Sequence, residues 1–330
     1  MRPQLMTLGH ESQGTAMAIA LVFPGQGSQT VGMGKALAEG FAPAKQVFAE
    51  VDEALGETLS QTIFEGPQDT LTLTQNAQPA LMAVSLAVIR VLEAEAGLNL
   101  ARDAKFVAGH SLGEYSALAA AGTFTIADAA RLLRTRGQAM QKAVPVGVGA
   151  MAALLGLDYD AAAAVAAEAA QGEVCQAAND NGGGQVVVSG NKAAVERAVD
   201  IAKTKGAKRA MLLPVSAPFH CALMQPAAEV MAEALSKVQV KAPVVPVVAN
   251  VRASALSDPQ EIVKALVAQV TGTVRWRECV SYMALQGVTQ FYEVGAGKVL
   301  TGLVKRIADG AAGSAIGTPD DIAAFKAAKA

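Results

Sequence analysis

Residues 106–115, FVAGHSLGEY, set a glycine two positions to either side of one serine, directly behind a short apolar run. The spacing Gly109-His110-Ser111-Leu112-Gly113 fits G-x-S-x-G, in which a strand turns sharply into a helix and leaves the serine oxygen exposed at the bend. Such a turn brings neighbouring backbone so close that a Cβ on either flank would clash, and glycine meets that need. The flanks agree with the motif. Residues 106–108 read as a strand, and residues 114–121 as a helix stopped by Gly122. An elbow of this kind needs a sheet beneath it and helices around it.

The rest of the chain supplies them. Residues 18–23 (AIALVF) are a buried-strand run ended by Pro24-Gly25-Gln26-Gly27, and helical patterns follow around 33–55, around 80–96 and onward from the elbow through 139. This alternation predicts an α/β fold with a mainly parallel sheet. From about residue 144 to 214 the rhythm changes. Strands are expected at 151–157, 174–178, 185–189 and 208–213, with helices at 159–170 and 192–206 and a turn at Asn179-Asp180-Asn181-Gly182-Gly183-Gly184. The order β-α-β-β-α-β is that of a ferredoxin-like unit. Residues 144–214 are therefore expected to form a subdomain inserted into a core made of 18–143 and 215–330. Residues 1–17 read as a flexible extension without a signal-peptide run, and Met17 is a candidate natural start.

Composition narrows the function classes. Of 330 residues, 52% are hydrophobic and 17% charged, and the net charge of −2 gives no basis for binding nucleic acid. Three scattered cysteines, Cys175, Cys221 and Cys279, form neither a disulfide framework nor a zinc site and suit a reducing cytoplasm. The longest uncharged apolar stretch, 143–157, is short and carries Pro145 and three glycines, so no membrane span is expected. Two glycine-rich stretches fail the nucleotide tests. Gly25-Gln26-Gly27-Ser28-Gln29-Thr30 lacks the third glycine of the dinucleotide fingerprint. Gly295-Ala296-Gly297-Lys298 lacks both the first glycine and the hydroxyl residue of a phosphate loop. No bound cofactor and no metal are expected.

A serine hydroxyl needs a base to become a nucleophile, and histidine is the usual one. The chain has three. His10 lies in the extension. His110 directly precedes Ser111, and neighbouring strand residues point to opposite sides. His220, in the proline-stiffened stretch Pro214-Val215-Ser216-Ala217-Pro218-Phe219-His220-Cys221, remains as the candidate.

Five motifs now stand in one order: Phe23-Pro24-Gly25-Gln26-Gly27-Ser28-Gln29, Gly109-His110-Ser111-Leu112-Gly113-Glu114-Tyr115, Arg136-Gly137, Phe219-His220 and Glu293-Val294-Gly295-Ala296-Gly297-Lys298. Together they resemble the malonyl-CoA:acyl-carrier-protein transacylases of bacterial type II fatty acid synthesis, over a stretch from about residue 18 to beyond 305. Ala296 departs from the proline common in that family, in a loop read as structural. The resemblance implies an α/β-hydrolase-like core with the ferredoxin-like insertion. It also implies a ping-pong transfer in which Ser111 carries a malonyl ester from malonyl-CoA to the phosphopantetheine thiol of acyl carrier protein. His220 acts as base and then acid, and the backbone carbonyl at Gln269 orients its ring. The backbone N–H groups of Gln26 and Leu112 form the oxyanion hole. An arginine fork suits a buried carboxylate. Spacing leaves Arg131, Arg134 and Arg136 equal, and the family motif selects Arg136.

Phe219 matches a bulky pocket residue of the wider acyltransferases. Asn179 and Asn181 match amides near the acyl pocket, although a turn rich in Asn and Gly needs no functional reason. Lys203, Lys205, Lys208 and Arg209 form a basic run that either faces an acidic carrier protein or is a solvated helix end. The expected protein is a cytoplasmic monomer. Two other readings compete: a serine hydrolase such as a thioesterase on the same elbow, and a catalytically silent carrier-docking module.

Overall fold

Strand β1 (Ala18–Phe23) opens the larger of two sheets in the computed structural model, which describes residues 18–329. The expected extension 1–17, with His10, lies outside the described residues. The larger sheet continues with β2 (Ala104–Gly109), and the smaller one comprises β3 (Gly149–Leu155), β4 (Cys175–Asp180), β5 (Gln185–Asn191) and β6 (Arg209–Leu212). The chain then returns to the larger sheet with β7 (Val247–Ala249), β8 (Ser254–Leu256), β9 (Val288–Val294) and β10 (Ala312–Ile316). Its order is β10-β9-β1-β2-β7-β8, and every pairing is parallel except the β7–β8 edge.

β1 is central because it can be buried on both faces. Side chains alternate across a strand. Leu21 and Phe23 enter one hydrophobic core, while Ala20 and Val22 enter the other, on the opposite face of the sheet. The first core is the larger and is filled by helices Ala42–Leu55, Thr74–Ala96 and Ile126–Ala143. Helix Thr74–Ala96 is the longest helix among the described residues and, unlike the uncharged stretch 143–157, carries Arg90, Glu93 and Glu95. It has the length and apolarity of a membrane span, but its apolar window is 83% buried inside the protein.

Two helix boundaries differ from expectation. The 33–55 pattern is split at Phe41 into Lys35–Gly40 and Ala42–Leu55, because Phe41 leaves helical geometry at φ −135°. The 80–96 helix starts earlier, at Thr74, and holds Pro79 in its second turn. One missing ladder hydrogen bond is outweighed there by burial on nearly every side.

The smaller sheet is antiparallel, in the order β4-β5-β3-β6, and its chain order is β-α-β-β-α-β with helices Tyr159–Ala170 and Lys192–Thr204. These helices close a third apolar core of alanine and valine against the sheet. The expected turn at 179–184 begins two residues later, because β4 runs on through Asp180. Val274, from the larger unit, pairs with its edge there. Val274 N–H donates to Ala178 O at 2.8 Å, and Asp180 N–H donates to Val274 O at 2.9 Å. Those bonds tie the smaller sheet to the segment between helices Pro259–Thr271 and Trp276–Leu285.

Candidate active site

β2 ends at Gly109 and the next helix begins at Gly113, so the chain reverses over three residues. Ser111 sits at φ 54°, in the left-handed region that a side chain occupies only under constraint. The constraint is visible in the glycines. A Cβ on Gly109 would lie 1.9 Å from the Gly113 carbonyl, and one on Gly113 would lie 2.3 Å from Phe23 O. Ser111 N–H donates to Asn250 Oδ1 at 2.8 Å, which pins the elbow from the end of β7.

At this bend Ser111 Oγ stands 2.8 Å from His220 Nε2. His220 is itself held at φ 58° between β6 and the short turn Ala222–Met224. Its Nδ1 lies 2.8 Å from the backbone carbonyl of Gln269, near the end of helix Pro259–Thr271. A carbonyl only accepts, so Nδ1 carries the proton and Nε2 is left to accept from the serine. Burial, with the nearby Arg136 charge acting in the same sense, lowers the pKa of the ring to about 3. His110 turns the other way. Its Nε2 meets Asn181 Oδ1 at 2.9 Å, and its ring lies against Trp276.

Arg136 is only 1% exposed. Its Nη1 donates to Gln78 Oε1 at 2.8 Å, and its Nη2 donates to Gln269 Oε1 at 2.9 Å and Ser111 Oγ at 3.2 Å. Its Nε has no partner among the described residues. The guanidinium sits 5.7 Å from the Tyr115 ring centre, and burial lowers its pKa from the usual value. The two other arginines of this helix go elsewhere. Arg134 reaches Asn76 and Glu57, while Arg131 reaches the Ala54 carbonyl and Asp128. Structure thus separates three arginines that spacing alone left equal.

A cavity of about 410 Å³ opens onto Ser111, His220 and Arg136, and Gln26 and Leu112 line it on the elbow side. The backbone N–H groups of Gln26 and Leu112 donate to no protein acceptor among the described residues. Phe219, Asn179 and Asn181 border the same cavity. Asn179 and Asp180 belong to strand β4 rather than to a free turn, and Asn181 holds His110. Gln269 lies behind the cavity and touches it only through its neighbours. The basic run stays on the surface, where Lys203 pairs with Asp200 and Lys205 with Glu168. The Gly295–Lys298 loop leads into helix Val299–Ile307, whose first N–H groups are taken by the Glu293 carboxylate, with Thr301 N–H at 2.7 Å. A protein carboxylate thus occupies the place a phosphate would need.

Sequence reasoning placed the Gln269 carbonyl but missed three members of the site, Asn250, Glu114 and Gln78. Gln269 acts through its side chain as well as its carbonyl, its Nε2 donating to Ser111 O at 3.0 Å, Glu114 Oε2 at 3.0 Å and Asn250 Oδ1 at 3.2 Å. Asn250 closes the ring: its N–H donates to Glu114 Oε2 at 2.9 Å and its Nδ2 to Gly109 O at 2.7 Å. Glu114, 1% exposed, is pushed up to about 7 by burial. Gln78, the third, follows Thr74, Gln75 and Asn76 in a polar first turn, so nothing in the sequence set it apart.

The arrangement is a serine whose proton can pass to a neutral histidine, with a buried cation beside it and two free N–H groups facing the same space. Comparison with known proteins places the chain in a family. The acyl transferase domain family model matches residues 20–315. The malonyl CoA-acyl carrier protein transacylase of Escherichia coli strain K12 is 50% identical over 305 residues, covering 92% of this chain and 97% of that protein. The crystal structure of acyl-carrier-protein-S-malonyltransferase from Bartonella henselae superposes with a TM-score of 0.93 at 59% identity, covering 95% of this chain and 99% of that one. A third structure, a malonyl-transacylase in complex with its type II PKS acyl-carrier protein, gives a TM-score of 0.91 at 43% identity, covering 94% and 99%. The chain that builds this serine–histidine pocket belongs to the acyl transferase domain family and, within it, to the malonyl CoA-acyl carrier protein transacylases.

Proposed function

We propose that this enzyme moves malonyl from coenzyme A to the phosphopantetheine thiol of acyl carrier protein through a malonyl ester of Ser111, supplying fatty acid synthesis in the cytoplasm. The observation that carries the reading is the buried Arg136 guanidinium 3.2 Å from the serine oxygen. A cation so placed suits an acyl group that ends in a carboxylate, and an ordinary ester or thioester substrate has no use for it.

The chemistry follows from the positions. Ser111 Oγ attacks the thioester carbonyl as its proton passes to His220 Nε2. The oxyanion that forms is held by the N–H groups of Leu112 and Gln26, each such donor being worth about 2.7–4 kcal/mol. Collapse breaks the C–S bond, and the departing thiolate takes the proton from His220. The carrier thiol then runs the same steps in reverse. The Gln269 carbonyl holds the Nδ1 proton throughout, in the place a triad carboxylate takes elsewhere. A malonyl carboxylate on Arg136 also cancels one of the charges that depress His220, so binding the right acyl group strengthens the base.

Within this reading the larger sheet and its helices, residues 18–143 and 215–330, are an α/β-hydrolase-like core, and residues 144–214 are a ferredoxin-like insertion. Phe219, Asn179 and Asn181 shape the acyl pocket. All proposed catalytic groups come from one chain, which suits a monomer with no cofactor and no metal. The test is mass spectrometry after mixing with malonyl-CoA, followed by addition of carrier protein. Wild type should gain one malonyl group and pass it to the carrier faster than to water, and Ser111→Ala should gain none. A malonylated Ser111→Ala protein would remove Ser111 as nucleophile, and dominant release of malonate would favour a hydrolase.

A further inference from the structure

Arg136 is buried, yet its hydrogen-bond partners are all neutral: the amide oxygens of Gln78 and Gln269 and the Ser111 hydroxyl. A buried guanidinium without a counter-charge is costly. The nearest carboxylate along this network is Glu114, separated from it by a single amide. Gln269 Oε1 accepts from Arg136, and Gln269 Nε2 donates to Glu114 Oε2 at 3.0 Å. Reversing the amide would set N–H against N–H at one end and oxygen against carboxylate at the other. Glu114 therefore fixes which way Gln269 points, and with it the bonds to Arg136 and to Ser111 O.

We propose that Glu114 is a specificity-determining positioning residue: the resting counter-charge of Arg136, relayed through Gln269, which takes up a proton when a substrate carboxylate replaces it at Arg136. This rests on the reading that Arg136 holds the acyl carboxylate. The proton comes from solvent and is placed on Oε1, since Oε2 already accepts from Asn250 N–H and Gln269 Nε2. No substrate bond is made or broken in this step.

The groups around Glu114 leave it as the one that can change near neutral pH. Arg136 faces it from helix Ile126–Ala143, Cys279 from helix Trp276–Leu285, and Tyr115 adjoins it on its own helix; Asn250 and Gln269 present neutral amides. Burial pushes the Cys279 thiol and the Tyr115 hydroxyl well above their ordinary values, so both stay neutral. Glu114 is raised to about 7 by burial, while Arg136 pulls the other way. An anion seated on Arg136 cancels that pull and raises Glu114 further. An acetyl group, without a carboxylate, leaves it unchanged.

The malonyl transition state then carries more bound protons than the acetyl one, and the surplus is felt above the resting pKa. The ratio of kcat/KM for malonyl-CoA over acetyl-CoA should fall as pH rises through about 7, by about threefold to tenfold, and level off higher. Burial keeps His220 neutral above about pH 6 with either substrate, so its strengthening by a malonyl carboxylate scales the ratio without bending its pH profile, and ionisation of coenzyme A is common to both.

The experiment measures this ratio from about pH 6 to about pH 9 in wild type, Glu114→Gln and Arg136→Ala. Wild type should show the fall. Glu114→Gln keeps an acceptor for Gln269 but cannot titrate, so its ratio should be flat and near the wild-type value at low pH. In weakly buffered solution near neutral pH, acylation of wild type by malonyl-CoA should also take up more proton than acylation by acetyl-CoA, a readout that does not depend on the variant folding. A flat wild-type ratio, or equal proton uptake with both substrates, overturns the role of Glu114. If Arg136→Ala keeps the malonyl preference, the failure lies instead with the carboxylate reading of Arg136.

Discussion

Replacing Arg136 by alanine is the sharpest test of substrate choice. The side chain is 1% exposed and reaches Ser111 Oγ at 3.2 Å, so the lost charge cannot be supplied by a surface neighbour. Truncating one partner of a buried, hydrogen-bonded charge pair costs about 2–5 kcal/mol, a factor of roughly 30 to several thousand in malonyl kcat/KM. Acetyl transfer loses only the contact between Nη2 and the serine oxygen, a long bond worth on the order of 1 kcal/mol, or about fivefold. The malonyl-to-acetyl ratio should therefore fall by at least about sixfold and by as much as several hundredfold. Some stability should go as well. Gln78 Oε1 and Gln269 Oε1 both lose a donor. An orphaned buried acceptor costs about 1–3 kcal/mol, less where water reaches it, and the cavity borders both Gln78 and Arg136. The assay is kcat/KM for both thioesters on both proteins, with urea unfolding to check that the variant is folded. Arg136→Lys should fall between them, because an ammonium cannot grip a carboxylate with a planar fork. An unchanged ratio in a folded Arg136→Ala protein would mean that the carboxylate is held elsewhere.

His220→Ala should slow acylation about 10²–10⁴-fold, the usual worth of a positioned acid–base group, measured as the rate of malonyl-enzyme formation; a near wild-type rate would point to another base. Glu114→Gln should alter stability in a pH-dependent way. The Glu114 pKa is raised from 4.5 unfolded to about 7 folded, so the native state binds the extra proton. The stability this contributes is whole below about 4.5 and is lost as pH rises through about 7. Measured by urea unfolding, the non-titrating variant should thus gain on wild type across that window by up to about 1.4 kcal/mol per pH unit, and a difference that shrinks or stays constant rejects a buried, titrating Glu114.

Legibility in the sequence tracked how local each feature is. The elbow could be read because its requirements are contiguous. Two close backbone approaches and one strained serine fall within residues 109–113, and each demands a particular residue type at a fixed offset. His220 could be reached because only three histidines exist and two were badly placed. The smaller sheet was legible for a similar reason, since each strand and helix carries its own period and the turns carry their own glycines. The arginine was legible in principle by a route not taken. Ile126, Ala129, Leu133, Arg136 and Met140 recur every three or four residues along the buried face of their helix, and Arg131 and Arg134 fall off that stripe. A charge standing on an apolar stripe marks itself. The ring of Glu114, Asn250 and Gln269 had no such mark. Its bonds cross 136 and 155 residues of chain, and the groups are an ordinary carboxylate and two ordinary amides, types that occur at many surface positions. What makes them a unit is that β7 ends directly beneath the elbow and helix Pro259–Thr271 passes behind His220, a fact of sheet order rather than of spacing. The serine and histidine declare themselves by residue type, whereas the residues that would set substrate choice through Arg136 become visible only once the sheet is assembled.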